Sequence, residues 1–198
     1  MKKALFLDRD GVVNRVVKKY SKSHEKVIDD SPFKTSELFF NEDINGLIAA
    51  ARKKGYEIIL ITNQPSILKG EFSMEDYEKI TTKICQHLSI SRSNIFECFH
   101  KEGISLPCEC RKPKPGLFLM AKGLFGISLE NSIMVGDSFT DIQAAKSAGV
   151  GTTIYLRRKQ NEFQIGNSND EEGMKINGPI ADYIFDNLSQ IQQKIKEI

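Results

Sequence analysis

The chain has 198 residues, 40% of them apolar and 27% charged, with a formal net charge of +2. That length holds one domain with a sizeable hydrophobic core, and the composition is that of a soluble globular protein. The near-balanced charge argues against a protein that coats nucleic acid, and no apolar run is long enough to span a bilayer.

The N-terminus, MKKALFLDRDG, carries two lysines as a signal peptide would, but charge interrupts it after four apolar residues. That pattern predicts a buried strand over residues 4–7 with Asp8 at its C-terminal tip, and a cytoplasmic protein. In that compartment the four cysteines are more often metal ligands or free thiols than disulfides. Residues 43–54 put Ile44, Leu47, Ile48 and Ala51 on one helical face, and Gly55 stops the helix. Residues 56–61 read as a second strand running into Thr62-Asn63. Ser73-Met74-Glu75-Asp76 opens the next helix, with Tyr77, Ile80, Ile84 and Leu88 inward. Cys85, beside Ile84, reads as a small buried hydrophobe.

Residues 94–99 form a short strand, and a helix follows over about 115–125, with proline in its first turn and Gly126 at its end. Residues 133–135 are a third buried strand, tipped by Gly136-Asp137. Thr140 is placed to cap the helix after it, which Gly149 ends. Residues 152–156 are a strand and 157–178 a polar surface loop. An edge strand over 181–185 and an amphipathic helix over 188–198 complete the chain. Alternating strands and helices predict an α/β fold, a doubly wound and mostly parallel sheet covered on both faces. One domain accounts for residues 1–198, with its core in about 4–156. No block is large enough for a separate cap, which leaves residues 15–41 and 157–178 as flaps.

Ligands bind such sheets at the carboxyl ends of the strands. Three tips carry polar groups: Asp8-Arg9-Asp10-Gly11, Thr62-Asn63-Gln64 and Gly136-Asp137. A single acid after a strand is as often a turn or helix cap as a functional group, but three tips converge on one crevice. Carboxylates suit Mg²⁺, an aspartate can attack phosphorus, and a second acid two residues on can give and take a proton. A transferring phosphoryl group also needs a hydroxyl and a cation, which Thr62 and either Lys112 or Arg111 supply.

DRDG at 8–11, TNQ at 62–64, RKPKPG at 111–116 and GDSFTD at 136–141 resemble, in the same order, the four motifs of the haloacid dehalogenase-like phosphatases. The resemblance spans about residues 4–156 and implies a Mg²⁺-dependent phosphomonoester hydrolase acting through an aspartyl-phosphate. It implies Asp8 as nucleophile and Mg²⁺ ligand. Asp10 becomes the general acid/base, with its main-chain carbonyl on the metal, and Asp137 the remaining Mg²⁺ ligand. Thr62, Asn63 and Gln64 become the phosphate-binding motif, and Lys112 the lysine that orders nucleophile and transition state. Asp141 fits either a supporting place beside the metal or an ordinary first-turn helix acid.

Cys98, His100, Cys108 and Cys110 form a Cys₃His set suited to tetrahedral zinc, joined by a loop in which Gly103 and Pro107 allow a fold-back. With no position left open, the Zn²⁺ is structural, and it clasps the loop that delivers the catalytic cation. Cys-x-His…Cys-x-Cys followed by RKP-x-PG resembles the D,D-heptose 1,7-bisphosphate phosphatases and the related histidinol-phosphate phosphatases. The first branch removes the 7-phosphate on the route to the activated heptose of lipopolysaccharide, with Arg111 binding substrate. The implied partner is a small phosphorylated substrate, a sugar bisphosphate, acted on by a monomer with no nucleic acid or membrane partner. Histidinol phosphate and, further off, a polynucleotide 3′-phosphate are the alternatives.

Three features depart from that pattern. The segment RVVKKYSKSHEKVIDD stands where a short Gly-Tyr-containing loop is usual. Pro65-Ser66 replaces Ser-Gly, and Ser138 stands where a lysine is common. In that segment Lys18, Lys19, Lys22 and Lys26 read as a solvated basic loop before they read as a site for a second phosphate.

Overall fold

Lys3–Leu7 (β1) lies near the centre of a six-stranded sheet, with its apolar run buried on both faces. The computed structural model describes residues 1–21, 25–101, 105–157 and 181–198. After β1 come Val17–Ser21 (β2) and Lys26–Asp30 (β3), helix α1 (Ile44–Lys53), Tyr56–Asn63 (β4), α2 (Met74–Leu88) and Ile95–Cys98 (β5). Then follow α3 (Gly116–Phe125), Ile133–Gly136 (β6), α4 (Phe139–Ala148), Thr152–Leu156 (β7), Tyr183–Phe185 (β8) and α5 (Leu188–Glu197). The sheet order is β5-β4-β1-β6-β7-β8, and every neighbouring pair is parallel. The doubly wound α/β expectation holds.

Alternation along the strands divides the core. Leu5, Leu7, Ile58, Leu60 and Val135 face α1, α2 and α5 through Leu47, Ile80, Ile84 and Ile191. Ala4, Phe6, Ile59, Ile61 and Met134 face α3 and α4 through Phe118, Ala121 and Ala144. Cys98, Cys108 and Cys110 pack against this second face. Ser73 caps α2 by accepting from the Asp76 N–H, as its sequence predicts. No helix among the described residues is long and apolar enough to cross a membrane.

Two readings need correction. The cap of α4 is Ser138 rather than Thr140. The helix begins one residue after Ser138, so Thr140 already lies in its first turn, where its hydroxyl sits 2.9 Å from the Ser138 hydroxyl. Asp141 closes the capping box by accepting from the Ser138 N–H and hydroxyl at 3.0 and 2.7 Å. The stretch after Asn14, read as a basic loop, contains the antiparallel hairpin β2–β3, paired from Val17↔Asp30 to Ser21↔Lys26. Lys22, Gly103 and the 158–178 part of the surface loop lie outside the described residues.

Candidate active site and metal centre

The parallel sheet brings the tips of β1, β4 and β6 to one edge. Gly11 makes the first tip possible. Its φ is +105°, and a Cβ there would overlap the Asp137 carboxylate, so only glycine lets the 8–11 turn lie against the tip of β6. A cleft of about 240 Å³ opens over these tips, and Asp8, Asp10, Thr62, Asn63, Lys112, Asp137 and Asp141 line it.

Lys112 is buried beneath the cleft, with its ammonium set between two carboxylates and a main-chain carbonyl. Its Nζ lies 2.6 Å from Asp8 Oδ1, 2.5 Å from Asp141 Oδ1 and 2.9 Å from the Ile61 carbonyl. Burial opposes its charge, but Asp141 and Asp8 outweigh burial and hold the amine protonated. Burial pushes the Asp8 carboxyl up to about 7; Lys112 pulls it down, and Asp141 and Asp10 add to the rise. The Lys112 main chain is clamped by Asn63, whose Oδ1 accepts from the Lys112 N–H and whose Nδ2 donates to the Lys112 carbonyl, both at 3.1 Å. Asn63 thus places the lysine as well as lining the cleft.

The Asp10 carboxylate receives three donors. Arg9 Nε reaches Oδ2 at 3.0 Å, Gln64 Nε2 reaches Oδ2 at 2.6 Å, and Asn14 Nδ2 reaches Oδ1 at 2.9 Å. Gln64 also donates to the Thr62 hydroxyl at 2.9 Å, which leaves that hydroxyl's proton for a ligand. Two residues expected at the substrate stand elsewhere. Gln64 is 1% exposed and does not line the cleft. The Arg111 guanidinium donates to the His100 carbonyl at 3.2 Å, beside the cysteine cluster. Asp141 is a first-turn helix acid, one oxygen capping α4, and its other oxygen pairs with Lys112.

Among the described residues, two groups of side chains bring together the donor atoms of a metal site. Carboxylate oxygens of Asp8, Asp137 and Asp141 lie within 4.8 Å of one another and are buried, a set of hard donors that fits Mg²⁺. Cys98 Sγ, Cys108 Sγ, Cys110 Sγ and His100 Nδ1 form the second group. Their separations are 3.8 Å for Cys98–Cys108, 3.2 Å for Cys98–Cys110, 3.4 Å for Cys98–His100 and 3.2 Å for His100–Cys110. Tetrahedral zinc with ~2.3 Å bonds to sulfur spaces its sulfurs about 3.8 Å apart, a spacing that Cys98–Cys108 matches while Cys98–Cys110 is tighter; the Cys₃His donor set is the kind that zinc takes. Burial pushes the Cys98 thiol up to about 12, and the neighbouring Cys110 adds to this; metal coordination is what turns such a thiol into a thiolate.

The hairpin forms the remaining wall. Val16, Asp29, Asp30 and Ser31 line the cleft opposite the strand tips. Lys18 pairs with Asp29 at 3.4 Å, and Lys19 reaches the Ser31 carbonyl at 2.6 Å and Glu37 at 3.5 Å while lying over the Phe33 ring. Lys26 is exposed. Sequence reading missed Arg9, Asn14 and this acidic wall. The signal for Arg9 was available, since an arginine between two aspartates at a buried strand tip has nowhere dry to go except onto one of them. The wall had no such signal, because β2 and β3 are mostly polar and show no apolar alternation.

A family model described as haloacid dehalogenase-like hydrolase matches residues 23–149, and a second, HAD-hydrolase-like, matches 109–191. The chain is 38% identical over 164 residues to the D-glycero-β-D-manno-heptose-1,7-bisphosphate 7-phosphatase of Vibrio cholerae, covering 79% of this chain and 82% of that protein. It is 35% identical over 163 residues to the D-glycero-α-D-manno-heptose-1,7-bisphosphate 7-phosphatase of Campylobacter jejuni, covering 81% and 86%. Among solved structures, the D,D-heptose 1,7-bisphosphate phosphatase of B. bronchiseptica, complexed with magnesium and phosphate, superposes with a TM-score of 0.74. It shares 25% identity, over 98% of both chains.

Proposed function

The chain belongs to the haloacid dehalogenase-like hydrolases and is a phosphatase, and we propose that it hydrolyses the 7-phosphate of a D-glycero-D-manno-heptose 1,7-bisphosphate through an aspartyl-phosphate on Asp8. The observation that carries the chemistry is the buried Lys112–Asp8 pair at 2.6 Å, set in one cleft with Asp10 and Asp137. The lysine engages Oδ1 of Asp8, which leaves Oδ2 as the attacking oxygen. Asp10 protonates the departing sugar oxygen and then takes a proton from the water that cleaves the aspartyl-phosphate. The Thr62 hydroxyl donates to a phosphoryl oxygen, and Lys112 stabilises the charge that develops there.

Asp8, Asp137 and the Asp10 main-chain carbonyl would hold Mg²⁺, which when bound offsets the carboxylate charge and polarises the phosphoryl group. Cys98, His100, Cys108 and Cys110 would hold a structural Zn²⁺. Arg111 lies beside that cage and outside the cleft lining, so in this reading it binds the substrate's distal end only on leaving the His100 carbonyl. The relatives' substrates, the four-motif order and the Cys₃His cage before Arg111-Lys112 support heptose bisphosphate. The reading includes a cytoplasmic monomer serving lipopolysaccharide biosynthesis. The acidic wall of Asp29 and Asp30 favours one second reading, since it also suits the ammonium group of histidinol phosphate.

A phosphate-release screen separates these. Heptose 1,7-bisphosphates of both anomers, histidinol phosphate and a 3′-phosphorylated oligonucleotide are compared by kcat/KM with Mg²⁺. The proposal expects the two bisphosphates to lead by more than tenfold; a lead for either other substrate overturns it.

A further inference from the structure

Each carboxylate oxygen offers two lone-pair positions, so Asp10 has four. Oδ2 accepts from Arg9 Nε and Gln64 Nε2, and Oδ1 accepts from Asn14 Nδ2. One position remains, on Oδ1. An acid/base that lines the cleft and has one open lone pair can exchange its proton in one direction only.

The group that makes this arrangement costly is Arg9. Its side chain is fully buried, with Nη2 2.9 Å from Asp10 Oδ2 and the guanidinium 5.4 Å from the Tyr77 ring centre. Among the described residues neither Nη1 nor Nη2 has a hydrogen-bond partner, Nη2 meeting Asp10 as an ion pair while Nε makes the hydrogen bond. A guanidinium with both terminal nitrogens lacking a hydrogen bond is a poor way to fill a core, since an apolar side chain of similar volume avoids the desolvation penalty. Packing therefore does not account for arginine here, whereas its rigid fork, lying along one oxygen of Asp10, does. Tyr77 in turn is wedged between Phe72 and Phe99, with ring centres 6.0 and 5.3 Å away, so the plane on which the guanidinium rests is itself fixed.

We propose that Arg9 is a positioning residue for the general acid/base: with Gln64 it occupies Oδ2 of Asp10 and so aims the one open lone pair, on Oδ1, at the leaving oxygen. This rests on the acid/base role given to Asp10 above. It places Arg9 in the proton-transfer step and not in nucleophilic attack or phosphate binding.

Leaving-group dependence tests it. A sugar alkoxide needs a proton as it departs from phosphorus, whereas 4-nitrophenolate does not. Arg9→Met and Arg9→Lys are compared with the parent chain, all Mg²⁺-loaded, by rapid mixing with a hexose 6-phosphate or heptose bisphosphate and with 4-nitrophenyl phosphate. In Arg9→Met, phosphorylation of Asp8 by the sugar ester falls about 100-fold, the lower end of what a placed general acid contributes. The 4-nitrophenolate burst keeps its rate and its amplitude of about one per chain, followed by slow turnover because Asp10 must still activate water. KM for the sugar ester stays within about twofold. Arg9→Lys keeps charge and length but loses the fork; it shows the same selective loss and carries the test if Arg9→Met does not fold. Equal losses for both esters, or none for either, overturn the proposal while leaving the phosphatase reading intact. A parent chain that gives no burst and no sugar-ester hydrolysis removes both.

Discussion

Lys112 is the residue on which the most charge converges, and its removal separates stability from catalysis. The side chain answers two buried carboxylates, Asp8 and Asp141, that have few other counter-charges. Lys112→Ala leaves both inside together, and breaking a buried pair this way costs about 3–5 kcal/mol, read as a lower midpoint in urea unfolding. Asp8→Asn is the complementary change. It keeps the shape and removes the nucleophile, so phosphate release falls by about 10³-fold or more while thermal unfolding stays cooperative. Activity near the parent level in this variant rules out the aspartyl-phosphate. At this scale much of the site was legible. Asp8, Asp10, Lys112 and Asp137 come together because each stands at a strand tip or just before a helix, and tips of a parallel sheet share one edge. What a tip does not encode is where an amide or guanidinium turns. Gln64 and Asn63 sit in the stretch expected to bind phosphate, yet their amide ends go to Asp10 and to the Lys112 main chain.

Elements matter here through the loop between β5 and α3, which has to present Lys112 without a strand of its own to hold it. The cysteine cage ends at Cys110 and the lysine follows two residues later. Gly116 closes the far side: its N–H donates to the Glu109 carbonyl at 3.0 Å, and a Cβ would strike that same oxygen. Protein purified without chelator should carry about one zinc per chain, and Cys110→Ser should lose it, lowering both thermal stability and kcat because the lysine's loop loosens. Metal analysis that finds zinc in the variant, or none in the parent, removes the clasp. Gly116→Ala should cost about 1–3 kcal/mol through overpacking against the cage backbone. A different fastening holds the sheet's outer edge. The Asp182 carboxylate accepts from the Thr153 N–H and hydroxyl, both at 2.7 Å, and from Lys146 at 3.0 Å. Burial opposes its charge, but the Thr153 hydroxyl and amide and then Lys146 outweigh it and hold the carboxyl below its ordinary 3.8. A depressed carboxyl stabilises the fold above pH 3.8 and loses that contribution as pH falls through its folded value. Asp182→Asn should therefore lower Tm at pH 7, with the gap closing in melts below pH 3.8; a gap independent of pH assigns the loss to packing alone.

For the molecule as a whole, the strands and helices that build the sheet were legible because each carries a strong period: continuous apolar runs in β1, β4 and β6, and i, i+3, i+4 faces in α1 and α2. The hairpin was not, since β2 and β3 hold lysines and aspartates whose partners lie across the strand pair rather than in a core. Yet its base supplies part of the cleft lining. Lys19 does not line the cleft; it fastens the hairpin base to Ser31, Glu37 and the Phe33 ring, and Phe33 stacks on Phe72 at 4.8 Å. The cleft wall is left to Asp29, Asp30 and Ser31, which are hydrogen-bond acceptors and a hydroxyl suited to sugar hydroxyls. None of these touches the phosphoryl chemistry, so hairpin and tips should be separable. Replacing residues 18–29 with a short Gly-Ser turn should leave kcat for 4-nitrophenyl phosphate within about threefold. Hydrogen bonds to charged groups contribute about 1.5–3 kcal/mol each, and a tenfold change in affinity corresponds to about 1.4 kcal/mol. Losing even one should therefore raise KM for the heptose bisphosphate by at least about tenfold. Steady-state kinetics on the two substrates decides it. An unchanged KM for the bisphosphate assigns recognition to the strand tips and Arg111 instead. A parallel fall in kcat on both substrates shows that the hairpin supports the catalytic groups themselves.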